Sequence, residues 1–125
     1  MGPYLLGIDI GTSACKIAVF EKNGRVMAQS SEPYPLYYPN PGWVEQDPEE
    51  WWKAICKGIQ RVLEKSQIKA KEIEGIGIDG QSWSAIPVDA NGNCLGRTPI
   101  WMDTRARTIC DEVNQRLGGA TLALT

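Results

Sequence analysis

Two tight turns constrain the start of this chain more than any other feature. Asn23-Gly24, within Lys22-Asn23-Gly24-Arg25, separates the apolar runs Ala14 to Glu21 and Val26 to Glu32, and Asn-Gly between such runs is a strong hairpin signal. An earlier turn, Gly11-Thr12-Ser13, separates the run Tyr4 to Asp9 from Ala14. Connections this short leave no room for a crossover, so the three strands form an antiparallel meander. A doubly wound βαβαβ start is excluded.

The first turn also carries chemistry. A carboxylate at the tip of a buried strand, here Asp9, can hold a hydrated Mg²⁺, while the amides and hydroxyls of Gly11, Thr12 and Ser13 offer donors to phosphate oxygens. Lys16 follows one strand turn later and adds a positive charge. Gly7 and Gly11 bracket Asp9 and leave the backbone free to approach a ligand. Ordinary hairpins use the same turn residues, so the motif draws its weight from what accompanies it.

Beyond the meander, Pro33 to Pro41 holds four prolines and three tyrosines, which excludes a central strand and is expected to pack as a surface loop. Asp47-Pro48-Glu49-Glu50 then opens a helix with an N-cap carboxylate, proline at N1 and acids that suit the dipole. It is expected to run to about Lys65, with Trp51, Trp52, Ile55, Ile59, Val62 and Leu63 as a buried stripe. Gly58 within it allows close packing on a sheet. Ile73 to Asp79 reads as a further strand, followed by Gly80-Gln81-Ser82-Trp83, an extended stretch Ser84 to Val88 and the turn Asp89 to Asn93. After the short apolar run Pro99 to Met102, a second helix is expected, with Asp103 as N-cap, Ile109, Cys110, Val113 and Leu117 buried, and Gly118-Gly119 as stop. A strand meander followed by a crossing helix and another strand predicts an α/β domain: a mixed sheet with an antiparallel edge and a helix over one face, as in ribonuclease H-like folds.

Several functions are excluded. Gly75-Ile76-Gly77-Ile78-Asp79-Gly80 fits G-x-G-x-x-G, but its glycines lie inside a strand and Pro87 stands where the following helix would have to run, against a dinucleotide fingerprint. No P-loop occurs. Histidine is absent, and Cys15, Cys56, Cys94 and Cys110 are widely separated, which argues against zinc and against a Ser-His-Asp arrangement. Cys15 and Cys56 sit in apolar stretches, as expected of a reduced, cytoplasmic protein. The 125 residues suffice for one domain, and a net charge of −2 gives no field to draw in nucleic acid or an anionic membrane. The chain has no signal-peptide pattern and no apolar run of spanning length. Met1-Gly2 lacks the hydroxyl residue a myristoylation motif needs, since Leu6 stands there.

Trp83 and Trp101 differ from the helical pair. Each follows an apolar segment and has polar neighbours, Gln81 and Ser82 beside the first, Asp103 and Arg105 beside the second. Aromatic walls with planar polar groups suit a sugar, and a packed tryptophan explains each one equally well on its own.

Taken together, Gly7 to Ser13 with Lys16, Gly42-Trp43-Val44-Glu45-Gln46-Asp47-Pro48-Glu49-Glu50-Trp51-Trp52, Gly75 to Gln81, and Ile100-Trp101-Met102-Asp103-Thr104-Arg105-Ala106 closely resemble the N-terminal part of the FGGY carbohydrate kinases, most of all the xylulokinase type. The resemblance covers nearly the whole chain, in order. It implies an actin-like ATPase fold of the ribonuclease H type, and transfer of the γ-phosphoryl group of ATP, with Mg²⁺, to a hydroxyl of a sugar or polyol, a ketose such as xylulose being the expected substrate. Asp9 then matches the carboxylate near Mg²⁺, Gly11, Thr12, Ser13 and Lys16 the phosphate-facing turn, and Gln81, Ser82, Trp83, Trp101 and Asp103 the sugar side. One departure stands out: Ser82-Trp83 replaces the Met-His pair that follows the glycine-glutamine of xylulokinase-like sequences, or the Arg-Glu pair of glycerol kinases.

The same resemblance places the catalytic aspartate base and a second ATPase domain beyond residue 125. The chain is therefore expected to be the N-terminal part of the sugar-binding domain, incomplete and inactive alone, with apolar surface left open to self-association, a homodimer for example. Two other classes share some of these features. A nucleotide switch of the actin or Hsp70 kind needs the phosphate hairpin but not the tryptophan segments, and a non-catalytic sugar-binding domain leaves Asp9, Thr12, Ser13 and Lys16 without a role.

Overall fold

The computed structural model describes residues 3–118. Its meander is built as the turns require: β1 (Tyr4–Ile10), β2 (Ala14–Glu21) and β3 (Val26–Pro33) pair antiparallel in sequence. Gly24 takes the left-handed φ of +91° that the Asn-Gly turn needs. The chain continues through β4 (Glu45–Gln46), α1 (Pro48–Ser66), a 3₁₀ turn (Ala70–Glu72), β5 (Ile73–Gly80), β6 (Thr98–Pro99) and α2 (Arg107–Leu117). β5 returns parallel to β1, with Asp9 opposite Asp79 and Ile8 opposite Ile78, so the main sheet has the order β3-β2-β1-β5. This is the mixed α/β sheet of a ribonuclease H-like fold.

Alternation along the strands sorts the two faces of the sheet. Leu6, Ile8, Cys15, Ile17, Val19, Ser30 and Glu32 point one way and are buried. α1 covers this face across β2 and β3 and reaches β1 only at its margin. Asp47 caps α1 by accepting the Glu49 N–H at 2.9 Å, as its sequence announces. Gly58 lets the helix sit close: a Cβ there would lie 2.6 Å from Ile17 Cδ1. At the same contact buried Glu32 meets Arg61 at 2.6 Å and Lys57 at 3.4 Å. Burial alone would raise its carboxyl, but the two cations outweigh it and hold it below the usual carboxylate range.

Several expectations are corrected. Trp51 is buried with Ala54, Gly58 and Val62, whereas Trp52, one position round the helix, is 63 % exposed. The proline-rich segment is not wholly superficial, because Tyr34 is buried in the core and Tyr37 bridges to Glu45. Ser84 to Val88 joins no ladder among the described residues and has only the bridge from Val88 to Cys94. β4 and β6 form an unforeseen second sheet. α2 starts at Arg107, not after Asp103, because Asp103 is engaged elsewhere, and Ile109, Cys110 and Leu117 are exposed. Gly118 takes φ +71° at its C-terminus, and Gly119 lies outside the described residues.

Candidate functional site

At the C-terminal ends of β1 and β5 the chain opens a cleft of about 480 Å³ lined by Asp9, Gly11 and Thr12 on one side and Gln81, Ser82, Trp83 and Trp101 on the other. The turn side is held from beneath. The Gly11 N–H donates to the Ala14 carbonyl at 3.1 Å, and a Cβ on Gly11 would crowd that oxygen at 3.1 Å. The Tyr34 hydroxyl donates to the Gly11 carbonyl, and the Tyr34 N–H to the Ser13 carbonyl at 3.3 Å. Burial, with the nearby Cys15 and Asp9, pushes the Tyr34 phenol well above its usual range, so it stays a donor at neutral pH.

The opposite wall grows out of β5. Its end is tied to β1 by the Gln81 N–H, which donates to the Ile10 carbonyl at 2.9 Å. Trp83 follows in a left-handed conformation, φ +64°, and is 90 % exposed. Trp101 arrives from the far side of β6, and its indole N–H donates to Thr12 Oγ1 at 3.0 Å, so the tryptophan wall touches the turn directly.

Asp103 does not line the cleft. Its carboxylate accepts from the Val44 N–H at 2.7 Å, from the Arg105 N–H at 2.9 Å, and from Arg105 Nε and Nη2 at 2.8 and 2.7 Å. The Arg105 guanidinium, with these backbone donors, holds the carboxyl down to about 2. Arg105 also bonds Glu45 at 2.7 Å and stacks on Trp43 at 3.8 Å. The group clamps residues 101–105 onto the strand before α1, and its effect on the cleft is to place Trp101.

Of the residues singled out in sequence, Asp9, Gly11, Thr12, Gln81, Ser82, Trp83 and Trp101 are brought together. Ser13 is exposed outside the cleft. Lys16 lies opposite Asp9 in the sheet register, on the face away from α1, and lines a neighbouring trough of about 870 Å³ with Asp9, Asp79 and Ser31. Sequence reasoning missed Tyr34 and Gln46. Gln46 is 1 % exposed, and its amide donates to the Thr12 carbonyl at 2.7 Å and accepts from Trp51 Nε1 at 3.1 Å and Gln81 Nε2 at 2.7 Å. Its sequence signal is its place in Glu45-Gln46-Asp47-Pro48, just ahead of the capped helix.

The Asp9 carboxylate has no ion-pair or hydrogen-bond partner among the described residues, and the residue lines the cleft. A single free carboxylate of this kind fits Mg²⁺, which keeps most of its water and takes one or two carboxylates. No group of three or more metal-ligating side chains occurs among the described residues.

Comparison with known proteins identifies the family. Residues 4–123 match the family described as the FGGY family of carbohydrate kinases, N-terminal domain. A xylulose kinase of Staphylococcus epidermidis is 40% identical over 114 residues, 91% of this chain and 23% of that protein. A glycerol kinase of Agrobacterium fabrum is 35% identical over 117 residues, 93% of this chain and 23% of its own length. Among solved structures, a xylulose kinase from Brucella ovis superposes with a TM-score of 0.85 at 30% identity, over 90% of this chain and 24% of that one. The chain thus spans about a quarter of the length of the relatives it matches, and it belongs to the FGGY family of carbohydrate kinases, matching the family's N-terminal domain over residues 4–123.

Proposed function

We propose that the chain is the N-terminal part of an ATP-dependent kinase that phosphorylates a hydroxyl of a sugar or polyol. The observation that carries this reading is the shared cleft: a hydroxyl- and amide-bearing turn beside a free carboxylate faces a wall of two tryptophans, a serine and an amide, within about 480 Å³. The turn suits phosphate oxygens and the wall suits the C–H faces and hydroxyls of a sugar. Their contact through Trp101 and Thr12 at 3.0 Å supports a reading in which phosphate and sugar meet in one cleft. Loose phosphoryl-transfer transition states need alignment and charge neutralisation above all. Asp9 would hold Mg²⁺, which neutralises phosphate charge when bound, and Thr12 would offer its hydroxyl to phosphate, with Gly11, whose own N–H is taken by Ala14, shaping the turn and Ser13 and Lys16 lying outside the cleft.

In the reaction the substrate oxygen bonds to the γ-phosphorus, the bond to the ADP oxygen breaks, and the hydroxyl proton leaves to a base. No carboxylate in the cleft suits that base. Asp103 is consumed by Arg105 and Val44, and Asp79, which accepts the Gly80 N–H at 2.8 Å, lines the neighbouring trough. We assign the base and the second domain to sequence beyond residue 125, so the chain alone is inactive.

A ketose such as xylulose is the starting expectation for the substrate, modified by Trp83. An indole at 90 % exposure replaces a small specific donor with a broad apolar surface and one N–H, which favours stacking over selection of a single hydroxyl. Four free thiols are consistent with a reducing compartment, and we assign the protein to the cytoplasm. No helix among the described residues is long and apolar enough to cross a membrane.

The test is coupled ADP release by the whole kinase with MgATP and a panel of ketoses, aldoses and polyols. Sugar-dependent turnover is expected, with Asp9→Asn lowering kcat at least about 100-fold while sugar affinity changes less than about threefold. ADP release indifferent to every sugar would instead identify a nucleotide switch. Unchanged turnover in Asp9→Asn removes Asp9 from the metal role.

A further inference from the structure

Gln46 does not line the cleft itself, yet both walls hang on its amide. Its Nε2 donates to the Thr12 carbonyl at 2.7 Å and to the Pro35 carbonyl at 3.4 Å. Its Oε1 accepts from the Trp51 indole N–H at 3.1 Å and from Gln81 Nε2 at 2.7 Å. Backbone carbonyls only accept and an indole N–H only donates, so neither end of the Gln46 amide can be exchanged without opposing like groups. Its orientation is fixed by neighbours that cannot change role. The Gln81 amide is fixed in turn, because it must present its nitrogen to Gln46 Oε1.

What remains of Gln81 is Oε1, which is shielded from solvent and has no donor. A buried acceptor without a donor costs stability, and native folds rarely keep one without a use for it. Gln81 lies on the sugar side of the cleft, so a substrate group reaching this oxygen must carry a proton: a hydroxyl completes it, a keto carbonyl or a carboxylate does not. Thr12, meanwhile, is held twice, through its carbonyl by Gln46 and through its hydroxyl by Trp101 at 3.0 Å. The turn and the wall are one hydrogen-bonded body with Gln46 at its centre.

We propose that Gln46 is a positioning residue that locks the phosphate-facing turn to the sugar wall and keeps Gln81 Oε1 as the acceptor for a substrate hydroxyl, an assignment that rests on the kinase reading above. The two ends of Gln46 can be separated by substitution. Gln46→Glu keeps an acceptor for Trp51 and Gln81 but sets an oxygen against the Thr12 carbonyl. In the whole kinase it is expected to raise the KM for MgATP about tenfold and to leave the KM for the sugar within about twofold. Gln81→Met, at a half-buried cleft residue, is expected to do the reverse, raising the sugar KM about tenfold with the MgATP KM within about twofold.

A protein weakened only in its packing would not sort its losses by substrate. Equal losses on both constants in both variants, or none on either, overturn the assignment. If Gln46→Glu does not fold, Gln81→Met decides alone, and an unchanged sugar KM overturns it. Wild-type enzyme without sugar-dependent ADP release overturns the kinase reading itself, and this assignment with it.

Discussion

The Asp103 carboxylate is shared among four donors, Val44 N–H and three groups of Arg105, and its side chain is only 4 % exposed. Its carboxyl, at about 2, lies below the ordinary aspartate value of about 3.9. A folded-state value that is depressed means stability gained above the unfolded value and lost as pH falls through the folded one. Asp103→Asn keeps an oxygen for Val44 but turns an amide toward Arg105, and at pH 7 it is expected to cost about 2 kcal/mol. The gap between wild type and variant should shrink as pH falls from about 4 toward 2. Urea midpoints at pH 7 and pH 2.5 measure it, and a gap equal at both values would refute the role given to the charge. Sequence placed Asp103 beside the sugar because it neighbours Trp101; its actual partner Val44 is 59 residues away along the chain. Tyr34 and Gln46 escaped for the same reason. Each acts through a backbone carbonyl distant in sequence, and no residue pattern announces such a bond.

Among the elements, those fixed by local chemistry were legible. The Asn-Gly turn, the Asp-Pro-Glu-Glu start of α1 and its periodic stripe depend on residues within a few positions of each other, and the structure keeps the first two and the stripe without Trp52, which faces solvent. Elements that depend on a partner were not. β4 and β6 are two residues each and exist only because they pair with one another, and the apolar positions of α2 have no covering layer among the described residues. The α1 contact with the sheet belongs between these cases, since Gly58 is visible in sequence but its partner is not. A Cβ at 58 would lie 2.6 Å from Ile17 Cδ1 and 3.1 Å from Ser30 Oγ, and Ile17 is itself fully packed. Gly58→Val removes a poor helix former, which by itself would help, but two further methyls drive α1 off β2 and β3. A net loss of about 2–3 kcal/mol in urea unfolding is expected. Stability equal to wild type would mean that the helix does not rest on the sheet at this point.

The whole molecule is a half-covered sheet. α1 shields β2 and β3, but β5 ends the sheet with one edge unpaired among the described residues, and on the α1 side of that strand Ile76 and Ile78 are 60 % and 70 % exposed. The other face carries the broad trough, where Gly7, Ala18 and Gly77 lie among Phe20 and the charged Asp9, Lys16 and Asp79. An unpaired edge beside exposed isoleucines is a template for another chain. In the longer kinase proposed above, further strand and helix would occupy both; in the 125-residue chain the available substitute is a second copy. Association through β5 is therefore expected, with the mass seen by light scattering rising from about 13.8 kDa toward twice that value as concentration increases. Ile78→Lys places a charge in the middle of that strand without touching the core under α1, and it should hold the chain monomeric at the same concentrations. Two outcomes would defeat the argument. A single 13.8 kDa species at every concentration would show that the open edge is protected in some other way, and association undiminished in Ile78→Lys would move the contact away from β5, to the trough or to the exposed face of α2.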